Sequence, residues 1–496
     1  MKKIKIAVFI IISAVIILFA SCAKDSGDGQ QNSTTNQAGT TDAAVSETEA
    51  ATQAKLLPNV PEDANLNGYK FRIIYNDKSV GSWGMAGIEA AEENGDVIND
   101  AAYARNTYVT EKYNFQMAFT PYADDKLTSS VLKKIIQSGA DDYDLIIVRQ
   151  YQTPSLITSG AFVDLNTVPY IDIEKPWWDK SIINQMSIGG KKFAAFGDFI
   201  VGANDAIRIL MFNKKLHKDF ALEDIYTLVN TGKWTLDKFY DMGKNASADL
   251  DGNGVMDKAD QYALLFQQSS PSCFMFGADE APTSKDANDL PVLNVGNERL
   301  LLVLQKTWDI INSPNFTLLD NVFTDTYIGL QAAFENNQGL FYGEVLQLAE
   351  RMRAGNTDFG VIPYPKYDES QENYFAFADS WCTNQMFIPA SNRNIDKTGE
   401  ILEILNAESY YTVRPAYYDK SLNGKFMRDE ESSKMLDIIL ANKVISLDEY
   451  YGWGMYGAVR DALTVKSPDF TSAIDKNTSK VQKAIDKTVT LIQGLQ

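Results

Sequence analysis

One stretch of the chain has the residue types and the spacing to hold a hard cation. Asp249-Leu-Asp-Gly-Asn-Gly-Val-Met-Asp-Lys-Ala-Asp260 follows the twelve-residue D-x-D-x-N-G pattern, with oxygen donors at positions 1, 3, 5, 9 and 12 and glycine at position 6. Asp249, Asp251, Asn253 and Asp257 would donate side chains, Val255 its carbonyl, and Asp260 takes the place of the usual bidentate glutamate. Aspartate is one methylene shorter, which limits that last reach. The plain alternative is an acidic, glycine-rich solvated turn, but five oxygen side chains in register favour Ca2+ as a structural staple for the loop 249–260. Other site chemistry is scarce. His217 is the single histidine, so a multi-histidine metal centre is excluded and any His-based catalysis would rest on it alone. Its setting, Asn213-Lys-Lys-Leu-His217-Lys, reads as solvated surface. No G-x-S-x-G elbow occurs, and Gly243-Lys244 lacks the upstream glycine of a P-loop.

The elements that must position such residues alternate between strand and helix. Phe71–Tyr75, Phe115–Phe119 and Asp144–Val148 read as strands, and Val97–Tyr113 carries helical spacing through Ile98, Ala102, Arg105 and Val109. A second helix shows in the stripe Val131, Leu132, Ile135 and Ile136. This is the βαβ rhythm of a mostly parallel sheet. Further strands are expected at Lys192–Phe196, Ile207–Phe212, Tyr262–Phe266, Leu340–Tyr342, Phe359–Ile362 and Gln385–Ile388. Helices are expected around Thr235–Asn245, Asn297–Ile311, Thr398–Asn406 and Ser472–Ile492, the last with Ile474, Val481, Ile485, Val489 and Ile492 on one face. With 496 residues there is ample chain for two or three domains. The balance of 46 Lys and Arg against 65 Asp and Glu, a net charge of −19, repels phosphate backbones and argues against nucleic acid as a partner.

The N-terminus carries an instruction of its own. Lys2, Lys3 and Lys5 precede the apolar run Ile6–Ala20, the n- and h-regions of an export signal that is too short to span a membrane. The run ends in Leu18-Phe-Ala-Ser-Cys22, which resembles the lipobox of bacterial lipoproteins, with Phe19 where leucine is usual. The resemblance implies cleavage after residue 21 and lipidation of Cys22, placing the body on the extracellular face of the cell membrane. Residues 22–56 then form a tether in which Ser, Thr, Gln, Ala, Gly, Asn, Asp and Glu dominate. Cys273 and Cys382 remain; they either form one disulfide or stay as separate buried thiols.

Several segments of the body resemble the extracellular solute-binding proteins that feed ABC importers, in their maltose-binding-like, carbohydrate-oriented group. They are Tyr143-Asp-Leu-Ile-Ile-Val148, Ile188-Gly-Gly-Lys-Lys-Phe-Ala-Ala195, Leu210-Met-Phe-Asn-Lys-Lys215, Lys233-Trp-Thr-Leu-Asp-Lys-Phe239, Ala333-Phe-Glu-Asn-Asn-Gln-Gly339 and Phe359-Gly-Val-Ile-Pro-Tyr-Pro365. The resemblance implies an α/β, two-lobed periplasmic-binding-protein-like fold of type II, each lobe a mixed, mostly parallel sheet flanked by helices. Lobe 1 would take 62–205 plus 383–445, and lobe 2 would take 206–382 plus 446–496. It further implies a monomer that captures an uncharged small solute, an oligosaccharide, and delivers it to an ABC permease without catalysis.

By family position the cleft would draw on Arg149 and Tyr151, on Asn204 and Asp205 at the first crossing, and on Tyr342 and Glu344. It would also draw on Asp379 and Trp381 at the second crossing, and on Trp453 and Tyr456. Sugars offer apolar C–H faces and hydroxyl rims, which suits aromatic platforms beside polar anchors. Trp381 and Tyr342 are expected as platforms, and Arg149, Asp205 and Glu344 as anchors. Trp177-Trp178 is less well placed and reads as a rim or a structural corner. Two other classes fit the composition: a secreted, calcium-stabilised carbohydrate-active enzyme with a carboxylate pair, and a surface adhesion protein using the calcium loop. The first lacks any recognisable catalytic segment, and the second does not need two βαβ lobes.

Overall fold

In the computed structural model the described residues are 55–76, 87–123, 126–352, 355–419 and 430–495. The export signal, Cys22 and nearly all of the tether lie outside them. The strands are β1 (Tyr69–Asn76), β2 (Phe115–Tyr122), β3 (Leu145–Arg149), β4 (Arg208–Asn213), β5 (Tyr262–Phe266), β6 (Thr283–Lys285), β7 (Pro291–Leu293), β8 (Thr317–Leu319), β9 (Gly339–Val345), β10 (Phe359–Ile362), β11 (Ala376–Phe377), β12 (Asn384–Phe387) and β13 (Lys443–Val444).

Local chemistry fixes the first βαβ unit. The helix Val97–Tyr113 starts where Asp96 accepts from the N–H groups of Ile98 and Asn99, and stops where Asn114 turns left-handed at φ 53°. Its buried face is Ile98, Ala102, Arg105, Val109 and Tyr113, at spacings of three and four. β1 and β2 therefore run parallel, from Tyr69 opposite Phe115 to Asn76 opposite Tyr122. β3 joins the other side of β1 in parallel, and β12 closes the edge antiparallel, giving the order β12-β3-β1-β2. Every residue of β3 is buried, as the apolar run Leu145–Val148 requires, with Arg149 at its end.

The second sheet has the order β10-β4-β9-β5-β8 and is mixed. β5 is parallel to β8 and β9, whereas β4 runs antiparallel to β9 and β10. Helices cover both sheets, and the molecule has a two-lobed α/β fold. Lys192–Phe196 does not form the expected strand; it contributes only the single bridge Ala195–Met386.

Three passages of chain lie side by side where the lobes meet. Ile207 bridges to Ala378, and β11 pairs in parallel with β13. Two segments pack differently from the lobe boundaries expected from the sequence. The helix Glu430–Ala441, expected in lobe 1, buries Leu436, Ile439 and Leu440 in the same cluster as Phe359 and Val361 of the second sheet. The helix Leu447–Tyr451, expected in lobe 2, instead packs beside Gln150–Ile157, with a hydrogen bond of 2.6 Å between the Tyr450 and Thr153 hydroxyls. In each case the short apolar stripe follows the nearest open sheet face or helix rather than the order of the chain.

Candidate ligand-binding cleft

Residues just beyond the carboxyl ends of β3 and β5, together with the passage between β11 and β12, enclose a cavity of about 490 Å³. This is where crossing chains leave a crevice in open α/β sheets. Tyr151 comes from the turn after β3, and Gln267 and Ser269 from the turn after β5. Asp379 to Cys382 come from the crossing, and Asp448, Glu449, Gly452, Gly454, Tyr456, Gly457 and Arg460 from the segment after β13.

The aromatic element of the site is a stacked pair. Trp381 lies on Tyr151 with ring centroids 4.3 Å apart and planes 19° from parallel. Trp381 is 56% exposed, so one indole face is backed by Tyr151 while much of the ring stays open to solvent. An exposed tryptophan held in one orientation is a platform for an apolar ligand face.

The polar element is built around Arg208, the first residue of β4. Its Nη1 donates to Gln267 Oε1 at 3.2 Å and pairs with Glu344 Oε1 at 3.3 Å; its Nη2 pairs with Asp379 Oδ2 at 2.5 Å. Gln267 Nε2 donates in turn to the other Glu344 oxygen at 2.5 Å. Burial alone would lower the Arg208 pKa, but the two carboxylates outweigh it and hold the guanidinium firmly charged. Burial raises the Glu344 pKa, with Arg208 opposing that rise. This network joins the second sheet to the crossing and forms the floor of the cleft.

The wall after β13 is shaped by Asp448. Its carboxylate accepts from the N–H groups of Gly454 at 2.8 Å, Met455 at 3.3 Å and Tyr456. Gly454 stands at φ 114°, a conformation that a residue with a Cβ adopts only under strain. The turn presents Tyr456, whose hydroxyl bonds Ser272 at 2.9 Å. Glu449 accepts from the Ser380 N–H at 3.3 Å, and burial followed by repulsion from Asp379 pushes its pKa well up.

Of the site residues expected from the sequence, Tyr151, Asp379, Trp381 and Tyr456 line the cleft, and Glu344 anchors its floor. Tyr342 shares a sheet face with Glu344 but lies one pleat deeper, fully buried against Phe334 at 5.5 Å, so it packs the core and offers no platform. Trp453 is buried too, its Nε1 donating to Thr488 at 2.9 Å and its ring stacked on Tyr451. Asn204 and Asp205 point elsewhere. Asn204 accepts from Lys443 at 3.0 Å beside a second hollow lined by Trp177 and Trp178, and Asp205 accepts from the buried Tyr417 hydroxyl at 2.8 Å. Arg149 is buried in the first sheet opposite Asn384 and is not part of the cleft lining. Arg208, Gln267, Glu449 and Arg460 are additions. The one legible signal for Arg208 was a charged residue opening an otherwise apolar strand.

The loop 249–260 brings carboxylate oxygens of Asp249, Asp251 and Asp260 within 4.8 Å of one another. Asp249 is fixed by the N–H groups of Gly252 and Gly254, and the buried Asp260 by those of Leu250 and Asp257. The donor chemistry suits a hard cation. Asp257 turns its Oδ1 to Ala259 N–H, and Asn253 Oδ1 to Val255 N–H. Cys273 and Cys382 are both buried and unbonded, and burial raises the Cys273 thiol to about 12.

No family model matches the sequence, and no characterised protein matches it significantly. The fold does have solved counterparts. A cyclo/maltodextrin-binding protein, complexed with maltotetraose, superposes with a TM-score of 0.53 at 13% identity, covering 89% of this chain and 98% of that one. An ABC substrate-binding protein of Listeria monocytogenes, in complex with cycloalternan, gives 0.52 at 10% identity over 84% and 99%. The GacH receptor of Streptomyces glaucescens, solved unliganded and with acarbose, gives 0.50 at 11% identity over 86% and 100%. These likenesses define the class of fold: two-lobed, periplasmic-binding-protein-like.

Proposed function

We propose that the protein is an extracellular solute-binding protein that captures an oligosaccharide between its lobes and hands it to an ABC permease. The observation that carries this reading is the exposed Trp381–Tyr151 stack beside the Arg208 network, an aromatic platform next to polar anchors in a cavity of about 490 Å³. Solved proteins of the same fold hold maltotetraose, cycloalternan or acarbose. The N-terminal sequence adds a lipid anchor at Cys22 on the outer face of the cell membrane, and the loop 249–260 adds a structural Ca2+. The protein works as a monomer and not as an enzyme. A ligand touching both lobes stabilises the closed form by the difference in contacts, and the permease reads occupancy as shape.

The test is a thermal-shift screen of residues 57–496 against mono- and oligosaccharides, followed by recovery of the ligand. A dose-dependent rise in melting temperature with chemically unchanged sugar supports the reading. Cleaved sugar would replace it with a carbohydrate-active enzyme, and silence across the panel would remove sugars as ligands.

A further inference from the structure

The cleft holds more carboxylates than it neutralises. Asp379, Asp448 and Glu449 line it and Glu344 lies in its floor, against the guanidinium groups of Arg208 and Arg460. Arg208 is divided between Glu344 and Asp379. Arg460 lies along Asp461 at 2.7 Å, and Asp448 is taken up by three backbone N–H groups. Glu449 has the Ser380 N–H on one oxygen and, among the described residues, no ion pair within 4 Å. The groups that face it are Asp379, Arg208, Arg460 and Tyr456.

One short turn assembles the rest. Asp379 accepts from the Trp381 N–H at 2.9 Å while Glu449 accepts from the Ser380 N–H, so the two carboxyl groups bracket the turn that ends in the exposed indole. A cavity lined by both a carboxyl group and an exposed tryptophan is suited to an ammonium group, which gains an ion pair from one and cation–π attraction from the other. It is unsuited to an anionic sugar, which would meet uncompensated negative charge.

Resting on the oligosaccharide reading above, we propose that the preferred ligand is an oligosaccharide of amino sugars, its protonated amine seated between Glu449 and Trp381. This departs from the uncharged solute expected from the sequence.

The experiment uses three tetrasaccharides with the same β-1,4 backbone: chitosan tetraose, its N-acetylated counterpart and cellotetraose. Each is titrated calorimetrically at pH 6.5. The expected result is about tenfold or greater preference for the free amine. In Glu449→Gln, with folding verified by its melting transition, the preference disappears. Equal or tighter binding of the two neutral members would overturn the amine assignment while leaving the oligosaccharide reading intact. A preference that survives in Glu449→Gln would overturn Glu449 as its source. If no member of this series and no sugar of the wider panel binds, the oligosaccharide reading fails and this inference fails with it.

Discussion

Arg208→Met tests the floor of the cleft without reference to any ligand. Methionine keeps most of the aliphatic volume but removes the charge that Glu344 and Asp379 share at 3.3 and 2.5 Å. Glu344 is 2% exposed, so it cannot turn to water in compensation. Removing one partner of a buried ion pair costs about 3–5 kcal/mol, chiefly because the remaining charge is stranded. For a body of about 440 residues, with an unfolding entropy of roughly 2 cal/mol/K per residue, each kcal/mol moves the melting temperature by about 1 °C. The expected drop is therefore about 3–5 °C at pH 7.5, read by calorimetry.

The sign of the pH effect is set by the stranded carboxyl. Its folded pKa, already raised in the native protein, rises further once Arg208 is gone. The penalty is then present at high pH and disappears as acid protonates Glu344, so the variant should regain its deficit as the pH falls towards the ordinary carboxylate range. Adding Glu344→Gln and Asp379→Asn should restore stability at pH 7.5. A deficit below about 1 °C, or one that deepens on acidification, would refute the account of Arg208 as the shared counter-charge.

Other expectations are separable from this one. Trp381→Ala removes a half-exposed ring, so it should lower the melting temperature by only about 1–2 °C while weakening sugar binding about tenfold or more; intact affinity with a collapsed fold would move the ring into the core. Ca2+ at a hundredfold over its dissociation constant should raise the melting temperature by about 3 °C, and Asp251→Ala should abolish that rise; equal stabilisation of the variant would remove the loop as the site. Asp198 lies in the second hollow with Arg414, Lys443 and Asp179, and burial raises it to about 7 from an unfolded value near 4. Its contribution is fully present below about pH 4 and lost as pH rises towards 7, a slope of at most about 1.4 kcal/mol per pH unit. Asp198→Asn should flatten the melting-temperature profile across that window, and parallel profiles for the two proteins would contradict it.

Which parts of this could be read from sequence follows from how local each cause is. The helix Val97–Tyr113 and the strands Tyr262–Phe266 and Phe359–Ile362 appear with the bounds expected, because spacing and caps act within a few residues. A mixed sheet was implied by the resemblance, but which strands of the second sheet run antiparallel was not legible. Whether β10 joins β4 parallel or antiparallel depends on where the intervening chain goes. The same division runs through the cleft. Trp381 and Tyr151 were identified from their positions after a strand and at a crossing, but Tyr342 was not separable from Glu344 two residues on. Only the cover supplied by Phe334 makes one core and leaves the other to the cleft floor. Glu449 stood four residues before the expected Trp453 and carried no signal of its own, since its isolation is defined by which cations fail to reach it.

The first sheet has a consequence for how the chain comes to be folded. β12, which seals the edge of β3 from Asn384–Arg149 to Phe387–Ile146, is made only after every strand of the second sheet. On a ribosome, β3 would wait with one edge unpaired while β4 to β10 emerge and assemble. Closing so long a loop is entropically slow, and an open, largely apolar edge is a template for the wrong strand. The second sheet, uninterrupted by distant chain, can form first and hold the crossings in register. The first lobe is then finished last, by a strand delivered through the waist, so that damage to the Ile207–Ala378 bridge would show as slow refolding and aggregation before it showed as lost stability.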